Sequence, residues 1–242
     1  MPLTNKQQKK LLCVYSRLIR YSEKTLRAYL PLETAQRLMA DTLEEGAGVI
    51  ARLPDSGGRR NLHTPIIQIA GLMISFYLAA KRAGLSPEEA VFIMRAVCKQ
   101  VVEKVPRPVG RLIGRFAFAP IGRGMFLKQA VLSQKRQYPG DFVFQAEIKK
   151  DPDGITITNV FSECAVHKLF EQEGVPELKP YCNFFDPLYS VRFGMGVDAN
   201  HTFAQYRDAC RLEFNNQRAT HTPDNIKVMI ERAEKRLKQH IK

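Results

Sequence analysis

FVFQAEIKKDPDGITITNVF, residues 142–161, decides the fold. Phe142, Phe144, Ala146 and Ile148 alternate with Val143, Gln145 and Glu147, a period of two that sends successive side chains to opposite faces of a strand. Lys150-Asp151-Pro152-Asp153-Gly154 is a turn and Ile155–Phe161 a second β-rich run, so the stretch reads as an antiparallel hairpin. Before Gly140 the period is helical. Lys6–Tyr29 contains neither Gly nor Pro and repeats Leu12, Tyr15, Leu18, Ile19, Leu26 and Leu30 at helical spacing until Pro31. A second helix is expected over Leu32–Ala51, a loop over 51–60 and an apolar helix over 64–83. Ser86-Pro87-Glu88-Glu89 then supplies an N-cap, a first-turn proline and a capping-box glutamate for a helix that stops before Pro106.

Beyond the hairpin, short helices are expected over 163–174 and 176–189, and strands over 190–197, 201–206 and 209–214. Thr222-Pro223-Asp224 opens a basic amphipathic helix that runs to the C-terminus. These elements predict an α+β fold: an N-terminal helical layer packed on an antiparallel β-sheet, with a C-terminal helix docked on it. The expected division is a helical segment over 1–105, a basic Gly/Pro-rich connector over 106–140 with a short helix near 124–136, and an α+β segment over 141–242. The three together form one compact unit.

With 242 residues, 45% hydrophobic and 25% charged, the chain is excluded from the disordered, collagenous and coiled-coil classes. Its 37 Lys and Arg against 24 Asp and Glu leave a net +13, which favours anionic partners. The surplus is uneven. Residues 141–222 hold 8 basic and 12 acidic residues, whereas 104–140 hold 8 basic residues and no acid. Residues 61–80 carry no formal charge, but His63, Pro65, Gln68 and Ser75 interrupt them, and Ile66–Ala80 is short for a bilayer span. A buried core helix and no membrane partner are expected. Five cysteines, an odd number, and a start without an apolar signal segment point to the reducing cytoplasm.

No phosphate loop, HExxH, GxSxG or paired CxxC occurs. The notable chemistry lies in Cys164, Cys182 and Cys210, three thiols accompanied by His167 at i+3 of the first, Asp186 at i+4 of the second and His201 upstream of the third. Buried apolar cysteines, a thiolate metal site and an activated nucleophile all fit that pattern. The cysteine spacings match no usual zinc knuckle, so no metal and no cofactor are assigned. The three thiols are expected to converge on one polar pocket, leaving Cys13 and Cys98 outside it on amphipathic helices.

The ordered set Asn159–Phe170, Gly174-Val-Pro-Glu-Leu178, Tyr181-Cys182-Asn-Phe-Phe-Asp186, His201-Thr-Phe-Ala204 and Cys210-Arg-Leu-Glu-Phe214 resembles the L-2-amino-thiazoline-4-carboxylic acid hydrolase family over roughly residues 140–215. The resemblance implies a hydrolase that adds water to the C=N carbon of a small cyclic amidine bearing a carboxylate, giving an N-carbamoyl amino acid. Cys164, Cys182, Asp186 and Cys210 carry over as the matched catalytic candidates. On this reading Cys182 or Cys210 is the nucleophile, and Asp186 or a nearby histidine is the general base. Arg192 pairs with the substrate carboxylate, and His167, His201 and Thr202 complete the substrate-binding set. The alternative is a non-catalytic nucleic-acid- or anion-binding protein using residues 104–140 and the basic C-terminal helix.

Overall fold

The hairpin is the centre of a four-stranded antiparallel sheet. The computed structural model describes residues 3–58, 61–206 and 210–240. Strands β1 (Val143–Asp151), β2 (Gly154–Glu163), β3 (Val197–His201) and β4 (Cys210–Asn215) are ordered β1-β2-β4-β3. Register pairs Phe144 with Phe161, Ala146 with Asn159 and Ile148 with Ile157, and then Phe161 with Cys210, Asn159 with Leu212 and Ile157 with Phe214. Period two therefore collects these residues on one face, turned towards the helices. The opposite face carries Gln145, Glu147, Val160 and Arg211 and is open to solvent.

Helices α1 (Asn5–Arg27), α2 (Leu32–Arg52), α3 (Thr64–Arg82) and α4 (Pro87–Glu103) form the helical layer. The Ser86 capping box closes as expected, with the Ser86 hydroxyl accepting from the Glu89 N–H and the Glu89 carboxylate accepting from the Ser86 N–H. Helix α3 is long and apolar enough to cross a membrane. Eleven of its 19 residues are nevertheless buried inside the protein, so it serves as the core helix of the layer. Tyr15 of α1 runs between Gly46 and Gly71, and its hydroxyl donates to the Gln68 carbonyl at 2.5 Å. The α+β architecture is thus as expected.

Four features differ in detail. The connector expected over 106–140 contains two helices, α5 (Arg107–Phe118) and α6 (Pro120–Ser133), of which the second overlaps the short helix expected near 124–136 and the first was not expected. Pro108 and Pro120 stand in the first turns, where a missing N–H is harmless. Gly110 and Gly114 are packing residues. A Cβ on Gly110 would come within 2.7 Å of the Arg192 carbonyl oxygen, and one on Gly114 would collide with the Phe193 carbonyl. Second, the expected strand over 190–197 is the end of helix α8 (Asp186–Phe193) followed by a reversal. Gly194 and Gly196 have φ of 68° and 51°, left-handed conformations that stop the helix and turn the chain into β3. Third, residues 202–206 form a turn rather than a strand, with the Gln205 and Tyr206 N–H groups both donating to the Thr202 carbonyl. Fourth, the C-terminal helix α9 (Asp224–His240) packs on α4 rather than on the sheet, with Arg232 and Arg236 at 3.5 and 3.0 Å from the Glu88 carboxylate. Helix α7 (Ala165–Gln172) sits as the sequence predicts. Ala209, expected to open the last strand, Arg59 and Arg60 of the expected loop, and the final two residues of the expected C-terminal helix lie outside the described residues.

The glycine assignment yields a paired test. Gly114→Ala forces α5 off the end of α8 and is expected to lower stability by about 2 kcal/mol or more. Gly124→Ala in α6, where an added Cβ meets nothing within 4 Å, is expected to raise it by roughly 0.5–1 kcal/mol through helix propensity. Thermal unfolding of the two variants beside the wild type checks both signs.

Candidate functional site

Each thiol candidate stands at the end of an element. β2 finishes at Glu163, and Cys164 follows as the N-cap residue of α7, where the backbone at His167 and Val166 acts to favour its anion. A salt bridge from Arg52 to Glu173, 2.6 Å long, and the left-handed Gly174 hold the far end of α7. A 3-10 turn, Pro176–Tyr181, then places Cys182, and Asp186 opens α8 one turn later. Cys210 is the first residue of β4, opposite Phe161. The backbone at Ala204 acts on the Cys182 thiol and that at Phe203 on the Cys210 thiol, each favouring the anion.

The three thiols line one cavity of about 530 Å³, within the size range of small-molecule pockets. It lies between the main core and a second apolar cluster formed by Ala117, Phe118, Ile157, Met195, Val197 and Phe214. Asp186, Thr202, Asn159, Asn183 and His63 join the thiols on its wall, while Cys13 and Cys98 are absent from it. The convergence matches the sequence reading, but the lining is mainly apolar rather than polar. A larger hollow of about 590 Å³, between α1 and the loop after α2, gathers no thiol.

Electrostatics in the cavity are set by burial. The Asp186 carboxyl is pushed up from 3.8 to about 7 by desolvation, and the Tyr189 hydroxyl, donating at 3.1 Å, offsets only part of that. Burial likewise pushes the Cys164 thiol to about 11 and Cys210 to about 12. Cys182 goes well above its ordinary value, raised further by the two neighbouring thiols and Asp186. All three are therefore protonated at neutral pH, unlike the thiolate expected at a helix N-terminus. The backbone N–H donors at Cys164 favour the anion but are outweighed by desolvation.

The remaining sequence candidates separate. Thr202 is buried on the cavity wall. Arg192 is not a carboxylate partner: its Nε donates to the Val105 carbonyl at 2.6 Å and its Nη2 to the Glu103 carbonyl, closing the C-terminal end of α4. The His167 ring packs on Phe170 and Phe203, its pKa lowered to about 4 by burial and then by Lys179, and it does not reach the cavity. His201 is exposed and stacks on Tyr206, outside the cavity. No Lys or Arg lines the cavity among the described residues, so a substrate carboxylate has no cation to meet there. Nor do the described residues contain a group of three or more His, Cys, Asp or Glu placed to hold a metal.

His63 and Asn159 were not legible as site residues. His63 Nδ1, Asn159 Oδ1 and Thr202 Oγ1 are buried without a hydrogen-bond partner, and all three residues belong to the cavity wall. Each such atom forfeits about 1–3 kcal/mol that a ligand or water could restore. His63 is ringed by Phe142, Phe144 and Phe161 at 5.0–6.5 Å, and burial pushes its pKa down to about 4. The only sequence signal for it was a histidine breaking an apolar run; Asn159 gave a polar residue on the inward face of a strand.

Comparison of the chain with protein-family models, with curated proteins and with solved structures finds no match.

The raised Asp186 carboxyl has a measurable consequence. Folded Asp186 keeps its proton up to about pH 7, whereas an unfolded aspartate loses it near 3.8, so stabilisation is full below about pH 4 and is lost as pH rises through 7. The rise corresponds to roughly 4 kcal/mol, which the partial exposure of Asp186 reduces to about 2. Asp186→Asn is expected to unfold like the wild type at pH 4 and to be more stable by about 2 kcal/mol at pH 8. Denaturant unfolding at the two pH values checks this.

Proposed function

We propose that the cavity is the active site of a hydrolase that opens a small cyclic amidine by adding water at its C=N carbon, with Asp186 as the proton-transfer group and Cys182 as the nucleophile. One observation carries the reading: among the described residues, a single carboxyl poised near pH 7 shares a cation-free cavity wall with three thiols. A general base works best when its pKa lies near the working pH, and Asp186 meets that condition. Cys182 follows from its place, since the other two thiols and Asp186 all lie near enough to influence its titration. Because burial keeps that thiol neutral, its proton has to pass to Asp186 as the sulfur attacks the amidine carbon. The ring then opens with a proton returned to its leaving atom, and water releases the product from the sulfur.

The cavity also bears on the substrate. A cyclic amidine is basic, and its protonated N–H groups would pair with Asp186, the only carboxylate among the described lining residues, which include no Lys or Arg. Apolar substituents would rest against Phe116, Phe126 and Phe214. The geometry thus favours an apolar or cationic cyclic amidine over the carboxylate-bearing substrate that the family resemblance implies.

The test is turnover of 2-aminothiazolines with and without a carboxylate. The expected kcat/KM rises with pH through about 7 as Asp186 loses its proton. Cys182→Ser and Asp186→Asn are each expected to reduce it by about 10²-fold or more with the fold intact, and the carboxylate-free substrate is expected to be preferred. Absence of turnover with every cyclic amidine tried, with the three Cys→Ser variants altering stability alone, would reduce the thiols to core residues.

A further inference from the structure

Helices α5 and α6 expose an apolar surface that nothing in the fold covers. On α5, Val109, Leu112, Ile113 and Phe116 follow i, i+3, i+4, i+7 spacing and are all exposed, whereas the buried side of the helix is Gly110, Gly114, Ala117 and Phe118. Arg107, Arg111 and Arg115 run along the side opposite the apolar stripe. On α6 the outward face is Ile121, Met125, Leu127, Val131 and Leu132, with Lys128 its one charge. Leu112 and Val131 are each 67% exposed and Ile121 70%. Scattered exposed apolar side chains are ordinary; nine on two consecutive helices are a patch with a purpose.

We infer that the α5–α6 hairpin docks the protein on the surface of an anionic lipid bilayer, with the mouth of the cavity facing the lipid. Two further observations select this occupant. The first is charge: residues 104–140 hold eight Lys or Arg and no acid, and among the described residues Arg107, Arg111, Arg115 and Lys128 make no ion pair. An apolar face backed by a cationic one is the signature of a helix lying in a bilayer interface, where acyl chains take the apolar face and long basic side chains reach the anionic headgroups. A second copy of this chain would oppose like charge to like charge, and a nucleic acid would leave the aliphatic stripe in water. The second is continuity: Leu62, Ile66, Ile113, Phe116 and Met125 are both solvent-exposed and part of the cavity lining. Apolar exterior and apolar interior therefore meet at one rim, so an apolar ligand leaving the bilayer would enter without crossing water. The inference does not depend on which reaction the cavity performs.

The experiment is sedimentation of the full chain with vesicles of phosphatidylcholine alone and of phosphatidylcholine containing about one-third phosphatidylglycerol. Binding to the anionic vesicles is expected to exceed binding to the neutral ones by about tenfold or more, and to weaken as salt rises to about 0.5 M. Leu112→Glu with Val131→Glu, two exposed sites outside the cavity lining, is expected to lower anionic-vesicle binding at least about tenfold at unchanged melting temperature. The chain has no tryptophan, so Leu112→Trp gives a single reporter whose emission is expected to shift to the blue on anionic vesicles. Four results would overturn the inference: no binding to anionic vesicles; binding that the double glutamate variant leaves unchanged; a dimer in light scattering that the same variant breaks, which assigns the face to a second copy; or salt-sensitive retention on RNA without vesicle binding, which assigns it to phosphate recognition.

Discussion

Helix α5 lies so close to the end of α8 that only hydrogen atoms at Gly110 and Gly114 fit between its backbone and the carbonyl groups of Arg192 and Phe193. The cavity depends on this contact. It sets Ile113, Phe116 and Ala117 as one wall against the sheet face of Asn159, Phe161, Cys210 and Leu212, and it fixes the helix whose first residue is Asp186. Arg192 reinforces it by donating to the last carbonyls of α4, which binds the helical layer to the same corner. A side chain larger than glycine at position 114 would separate these elements and open the wall that keeps Asp186 and the thiols away from bulk water.

The parts of the fold that were legible in the sequence are those governed by local periodicity and capping. The alternation over 142–161 specifies a hairpin because one register alone puts Phe144, Phe161 and Ile157 on the buried face. Ser86 and Glu89 announce α4 through hydrogen bonds within four residues. The parts that misled depend on distant partners. Glycines 110 and 114 look like helix breakers until the Phe193 carbonyl is set against them. The alternation of Val191, Phe193, Met195 and Val197 resembles a strand, but Gly194 and Gly196 take left-handed conformations that only the folded corner requires.

The candidate site divides along the same line. Cys164, Cys182 and Cys210 could be grouped from residue type and order, and Asp186 and Thr202 with them, because each lies next to an element boundary. Arg192 could not be excluded from substrate binding by sequence, since its partners are carbonyls 87 and 89 residues away. His63 and Asn159 enter the cavity wall only through tertiary packing, one as the cap of α3 and the other from the second strand of the sheet. The basic stretch 104–140 showed its charge in the sequence but hid its apolar face, which becomes evident only when helical spacing is imposed on it.

The protonated state of the three cavity thiols bears on their durability. Peroxides and disulfides react with thiolates, so a thiol held up to about 11 or 12 by burial presents almost none of the reactive form. Cys164 and Cys210 can thus share a cavity with Cys182 as free thiols under oxidant levels that would join exposed, ionised neighbours. Cys13, exposed on α1, takes no part in the cavity and stands first in the path of any oxidant. Oxidation of the cysteines accordingly begins at the surface, and the interior sulfurs react last.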